Sequence, residues 1–405
     1  MRVLFLTHRL PYAPNRGDRL RAYHIVRNLI ARGMKVDVLS LVHDKEELGQ
    51  LDRVRELGAG ANAVRIPRFR TYASGALALA GTRPLTHALL TAPSFTDAAR
   101  AIVQEHEPDV VLAYCSSMAK FALESPLDRY PLVIDLVDVD SQKWAALATT
   151  SSLPRRWIYS REERYLSRFE RRATERAFAT LVVNEREATS LRKLAPTADI
   201  RVVPVGVDLA SLRPPGPPTE APRIVFCGVM NYEPNVEGIL WFARQVWPKI
   251  RSTRPDARFQ IVGSDPTPSI VRLAAPGSGI DVCGEVESVQ PYLWESALSV
   301  APLKTARGVQ TKVLEAVAAG LPAVVTSQVY DGLPDEIHDA CLIADSPLQF
   351  AEQALTLLAM RPGERRALAT RAACLRLDWS TQLTPLFEVL RSAASRQATA
   401  LASSA

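Results

Sequence analysis

The residues best suited to chemistry lie between Ala301 and Val325, where an apolar strand end is followed by a glycine-containing turn and a helix opening near Gln310. Gly320 stops that helix, and a second apolar strand follows. A helix start offers backbone N–H groups without intrahelical partners and a partial positive charge, a combination that suits a diphosphate. Gly308, Val309, Gln310 and Thr311 are therefore candidates to hold donor phosphates. Arg307 and Lys312 flank the helix start and could add charge-assisted contacts to such a group. Glu315 lies one turn further on, where its carboxylate could accept bonds from sugar or ribose hydroxyls. An exposed helix start whose Arg, Lys and Glu are only solvated would read the same way in isolation.

A second group lies in the first half of the chain. The loop Pro11-Tyr-Ala-Pro-Asn-Arg-Gly-Asp18 falls between an apolar run and a helical stretch. Gly17 would let a ligand approach the backbone closely, and Arg16 and Asp18 could contact phosphate or acceptor hydroxyls. Asp18 could instead cap the helix that follows. Asp138, Asp140 and Ser141 follow a later strand. Asp138 is a candidate for a polar catalytic role and Asp140 and Ser141 for acceptor binding, against loop capping as the plainer alternative. Asp135 should lie inside the strand and be structural.

These groups need elements to position them, and the sequence supplies two sets. Short apolar runs alternate with helical periodicity at Val3–Leu6, Arg19–Arg32, Lys35–Leu41, Thr96–Glu107, Val110–Ala113, Leu132–Leu136 and Leu181–Val183. Nearly continuous apolar strands between helices indicate βαβ units and a parallel sheet buried on both faces. The segment from Leu212 to Pro222 is dense in proline and reads as an extended connector. After it the alternation restarts at Ile224–Cys227. A chain of 405 residues is too long for one ordinary core, so two α/β domains are expected. The expected division is residues 1–210, a linker at 211–222, a second domain at 223–378, a helix at 379–396 and a frayed tail at 397–405. The two domains are expected to face each other across a cleft.

Composition narrows the function classes. Hydrophobic residues make up 47% and charged residues 23%, as in globular rather than disordered proteins. No run reaches the ~20 apolar residues needed to span a bilayer, and the opening run is too short for a signal peptide, so a cytoplasmic protein is expected. The five cysteines are widely spaced without a C-x-x-C pair, which argues against zinc and for buried thiols; no metal site is expected. The net charge of +6 favours phosphate-bearing partners in general.

Between Arg155 and Phe178 eight arginines are interleaved with Trp157, Tyr165 and Phe169. A solvated helix face is the ordinary reading. A peripheral contact with anionic membrane is the second, and no nucleic-acid motif accompanies the charge.

Glu315-Ala-Val-Ala-Ala-Gly-Leu-Pro-Ala-Val-Val325 resembles the ending of the Glu-x7-Glu signature of the retaining GT-B glycosyltransferases of family four. Val203-Pro-Val-Gly-Val-Asp208 and Ile224-Val-Phe-Cys-Gly-Val-Met-Asn231 are similar to the family's turn before the second domain and the strand that opens it. Pro234-Asn235, Trp241-Phe242, Ile261-Val-Gly263 and Asp135 to Trp144 resemble a bacterial branch associated with exopolysaccharide assembly, of the PEP-CTERM/exosortase type. The resemblance runs over about residues 1 to 390. It implies two Rossmann-like domains, with Glu315 on the nucleotide ribose and Gly228 and Asn231 near the donor. The signature's first glutamate contacts the donor sugar, and its place here is taken by Arg307.

The resemblance implies transfer of a sugar from a nucleotide-diphosphate sugar to a saccharide or lipid-linked acceptor, with retention and without cofactor or metal. The rival expectations are a nucleotide-sugar epimerase of similar build and a non-catalytic ligand-binding protein of the same fold.

Overall fold

The computed structural model describes residues 1–12, 17–66, 78–306, 308–371 and 374–402. The chain divides into two compact units, Met1–Pro204 with Gln382–Ala405, and Val205–Thr381.

The first unit is built on seven parallel strands: β1 Arg2–Thr7, β2 Lys35–Val42, β3 Gly60–Arg65, β4 Val110–Tyr114, β5 Leu132–Val137, β6 Ala179–Val182 and β7 Ile200–Val202. Their order is β3-β2-β1-β4-β5-β6-β7. The central strands are buried along nearly their whole length, which explains why they read as continuous apolar runs. Helices that matter below are α1 Gly17–Ala31, α2 Leu85–Leu89, α3 Ser116–Ala122, α4 Asp140–Thr150 and α5 Arg155–Arg176. Strand β7 is short and only partly buried, and it escaped the sequence reading because three residues carry little pattern.

The second unit has six parallel strands: β8 Arg223–Cys227, β9 Arg258–Val262, β10 Ile280–Gly284, β11 Leu298–Ala301, β12 Ala323–Val325 and β13 Cys341–Ile343. Their order is β10-β9-β8-β11-β12-β13. Helix α6 Glu233–Trp241 follows β8, and α7 Thr311–Ala318 lies between β11 and β12. An aromatic group of Phe242, Trp247, Phe259 and Phe350 fills the core on one side.

Two expectations change. The proline-dense segment is not the passage between units, which falls at Pro204–Val205 and again at Thr381–Gln382. It is fastened within the second unit instead: Arg366 donates to the Gly216 carbonyl at 2.8 Å, Arg365 to that of Thr219 at 2.7 Å, and the Trp294 indole to that of Leu212 at 2.9 Å. Prolines cannot donate to a ladder, so the segment forms no strand, and the free carbonyls of its other residues accept side-chain donors. The last helix, α8 Thr384–Ala402, rejoins the first unit, where Arg32 lies 3.8 Å over the Phe387 ring. It continues past residue 396 because the Ala-rich sequence is itself a strong helix former.

Candidate functional site

In an open parallel sheet, ligands bind beyond the strand C-termini where the strand order reverses. The second unit reverses between β8 and β11, and the candidate donor residues gather there. Gly228 follows β8. The Lys312 ammonium donates to Asn235 Oδ1 at 2.7 Å and lies 4.4 Å over the Phe226 ring. Asn235 is buried and donates in turn to the Val229 carbonyl at 2.8 Å. A Cβ on Gly228 would stand 2.9 Å from Asn235 Nδ2 and 3.1 Å from Lys312 Nζ, so glycine leaves room for the pair.

Gly263, at the end of β9, has φ +147, and a Cβ there would come within 1.7 Å of the Gly228 carbonyl oxygen. Only glycine fits.

Gly308 has φ +64, which turns the chain into α7. Val309, Gln310 and Thr311 follow directly, with Gln310 as the cap residue and no side-chain bond from it to the first-turn amides. Arg307 lies outside the described residues. Lys312 and Glu315 are half-buried. Burial lowers Lys312 to about 8, with Cys227 and Glu315 opposing. Burial raises Glu315 to about 7, with Lys312 opposing. Asn231 is exposed in the turn after β8. The structure thus brings Gly228, Lys312 and Asn235 together. Asn235 was not among the expected site residues; the signals that could have found it were the Pro234-Asn235 resemblance and its place in the first turn of the helix after the strand-end glycine.

The first unit reverses between β1 and β4. Gly17 and Asp18 open α1 behind β1, and Arg16 lies outside the described residues. At the C-terminal ends of β4 and β5 the backbone is strained: Cys115, just after β4, has φ +69 and Val137, the last residue of β5, φ +67. For β-branched Val137 this left-handed conformation costs of order 1–3 kcal/mol, and such strain concentrates at functional sites.

Asp138 follows at once. Its Oδ1 is buried with no hydrogen-bond partner among the described residues. Burial, then repulsion by Glu187 and Asp140, pushes it up to about 7. Asp140 opens α4 and accepts from the Ser116 hydroxyl at 3.2 Å; burial raises its pKa as well. His87 Nε2 lies 3.3 Å from the same hydroxyl. Ser141 is fully buried and gives both its amide, at 3.1 Å, and its hydroxyl to Glu170. Neither group is left for an acceptor, which corrects the expectation for Ser141: its hydroxyl serves the start of α4.

Asp135 is structural as expected. It accepts from Arg21 Nε at 2.8 Å in a buried ion pair, while the same guanidinium holds the Val203 and Pro204 carbonyls. Cys115 and Cys283 are half-buried, unlike the buried Cys227 and Cys341. Among the described residues, no group of three His, Cys, Asp or Glu side chains is arranged to hold a metal ion, and no helix is long and apolar enough to cross a membrane.

Comparison with known proteins agrees with this architecture. The family model described as glycosyl transferase 4-like domain matches residues 17–206, and that described as glycosyl transferases group 1 matches residues 221–360. No protein of curated function matches the chain in sequence. Among solved structures it is similar to sucrose-phosphate synthase from Thermosynechococcus elongatus, with TM-score 0.69, 16% identity, and 97% of this chain and 98% of that chain covered. It is also similar to Anabaena HepE, solved with UDP-glucose, at TM-score 0.66 and 15% identity over 97% and 100% of the two chains. S. aureus TarM, a mutant solved with fondaparinux, alpha-GlcNAc-glycerol and UDP, gives TM-score 0.69 at 8% identity over 96% and 99%.

Two Rossmann-like units of this topology define the GT-B fold. With both family matches, the chain is a glycosyltransferase of the GT-B type.

Proposed function

We propose that the chain transfers a sugar, with retention of configuration, from a nucleotide-diphosphate sugar to a saccharide or lipid-linked acceptor in bacterial exopolysaccharide or cell-surface polysaccharide synthesis. The transfer takes place at the inner face of the plasma membrane. The observation that carries this reading is the Lys312 ammonium, held by Asn235 beside Gly228 at the strand-order reversal of the second unit.

Each part has a role there. The start of α7 supplies amides and a positive dipole end for the diphosphate. Lys312, with Arg307 beside it in sequence, neutralises charge that grows on the leaving oxygen, so no metal is required. Glu315 accepts from the ribose hydroxyls. In the first unit, Gly17 leaves room for the donor, and Arg16, Asp18, Asp138 and Asp140 receive the acceptor hydroxyl. HepE solved with UDP-glucose and TarM solved with UDP and a glycosylated glycerol lend support to a nucleotide sugar and a hydroxyl acceptor.

A panel of nucleotide sugars read by thermal shift tests the reading. A matching donor at a hundred times its dissociation constant stabilises by about 2.7 kcal/mol. Lys312→Ala should abolish most of that shift while melting normally without ligand. No shift with any nucleotide sugar would reject the proposal.

A further inference from the structure

The arginine-rich helix α5 has two unlike faces. Glu162, Leu166, Glu170 and Ala173 recur at helical spacing and are buried. Their carboxylates do structural work. Glu162 accepts from the Leu85 and Thr86 amides at 2.6 and 2.8 Å and so caps α2, as Glu170 caps α4 through Ser141. Arg161 belongs with them: it is buried, and its guanidinium holds the carbonyls of Ala78, Gly81 and Arg83.

The opposite stripe carries Trp157, Arg164, Arg168 and Arg171, separated by seven, four and three residues and all exposed. Arg172 lies beside it. Of these arginines only Arg171 has a carboxylate partner among the described residues, Glu175 at 2.8 Å. At the N-terminal end the apolar surface is open: Leu153 is 80% exposed and Trp157 58%, next to exposed Arg155 and Arg156.

We propose that this face of α5, with Leu153 and Trp157 at its tip, docks the first unit on an anionic lipid bilayer. The observation behind it is that Arg164, Arg168 and Arg172, which have no carboxylate partner among the described residues, share a side of α5 with Trp157 in its first turn and adjoin exposed Leu153 just before the helix, and it does not depend on the transfer reading. A helix lying in the membrane interface places its cations among the lipid phosphates and its tryptophan and aliphatic side chains at the acyl boundary. The arginine row complements the charge of acidic headgroups. A polynucleotide would satisfy the arginines and could stack on Trp157, but it would leave Leu153 in water. A bilayer accommodates both.

The test is co-sedimentation of the full chain with vesicles of phosphatidylcholine alone and of phosphatidylcholine with equimolar phosphatidylglycerol. Binding should require phosphatidylglycerol and weaken with salt. At roughly a tenfold change for every one to two arginines, replacing Arg164, Arg168 and Arg172 with Gln should lower the partition about a hundredfold. Leu153→Ser with Trp157→Ser should weaken it independently of salt. Brominated lipid should quench tryptophan emission, and Trp157→Phe should remove most of that quenching. All variants should melt and bind donor like the parent, because every altered side chain is exposed.

Equal binding to both vesicle types, or an unchanged partition in the triple arginine variant, would overturn the proposal. So would single-stranded RNA that binds at lower concentration than the vesicles and displaces them. Donor binding is read separately, so failure of the surface and failure of the transfer reading are distinguishable.

Discussion

Lys312 and Asn235 lie 77 positions apart in sequence and meet at 2.7 Å, joining the first turn of α7 to the first turn of α6. Asn235 fixes the ammonium by accepting from it, while its own amide is held on the Val229 carbonyl. Asn235→Ala should leave Lys312 able to wander and should weaken donor binding about tenfold, the cost of one charge-assisted hydrogen bond. Asn235→Asp, which keeps the acceptor, should raise the Lys312 pKa. Calorimetric donor titration against pH reads both effects, and unchanged affinity in Asn235→Ala would remove Asn235 from the site.

The two glycines of the same corner should behave differently. A methyl group on Gly263 would meet the Gly228 backbone carbonyl, which cannot move away cheaply, and its φ of +147 is unsuited to any side chain. Gly263→Ala should cost at least ~3 kcal/mol in folding stability. A methyl group on Gly228 would meet the ends of the Asn235 and Lys312 side chains, which can shift. Gly228→Ala should therefore cost more in donor affinity than in melting temperature. Equal losses of stability in the two variants would contradict this.

Glu170 gives a pH dependence of stability. Burial first, then repulsion by Asp140, lifts its carboxyl to about 8, above the ordinary value of 4.5. The folded state therefore holds this proton more tightly than the unfolded state. The stability it contributes is complete below about pH 4.5 and is lost as pH rises through about 8. Glu170→Gln keeps an acceptor for Ser141 and removes the charge, so it should flatten the fall in stability between those limits, by a few kcal/mol of unfolding free energy, and with it the fall in melting temperature. Parallel curves for the two proteins would show that Glu170 does not titrate there.

The fold was legible in the sequence because fully buried parallel strands have to be continuously apolar, and Val3–Leu6, Val110–Ala113 and Ile224–Cys227 are. Position in such a sheet also singled out the loops after β1, β5 and β11 as candidate sites. What stayed hidden depends on contacts between distant residues. Nothing near Asn235 in sequence reveals Lys312, and nothing near Ser141 reveals the carboxylate of Glu170 that occupies it. Composition likewise gave α5 eight arginines without distinguishing Arg161, which is spent on three carbonyls, from Arg164, which is exposed. The proline segment misled for a local reason: it does break regular structure, but side-chain donors from elsewhere fasten it to the second unit.

Glu315 and Lys312 together predict the pH dependence of donor binding. Burial raises the carboxyl to about 7 and lowers the ammonium to about 8, and each partner opposes the other's shift. In the proposed role the ionised carboxylate is a stronger acceptor for ribose hydroxyls than the neutral acid, so affinity should rise with pH through about 7. The ammonium attracts the diphosphate only when protonated, so affinity should fall through about 8. The result is a narrow maximum between the two, whose limbs belong to the coupled pair. Glu315→Gln remains able to accept a hydrogen bond and should abolish the acidic limb, with a modest loss at the maximum. Lys312→Arg stays charged throughout and should abolish the alkaline limb. Lys312→Ala should lower affinity at every pH below 8 and have little further effect above it. Donor titrations of the parent and the three variants across pH 5.5 to 9.5 decide the matter: a profile that is flat in the parent, or limbs that survive the matching substitution, would separate these two residues from the donor.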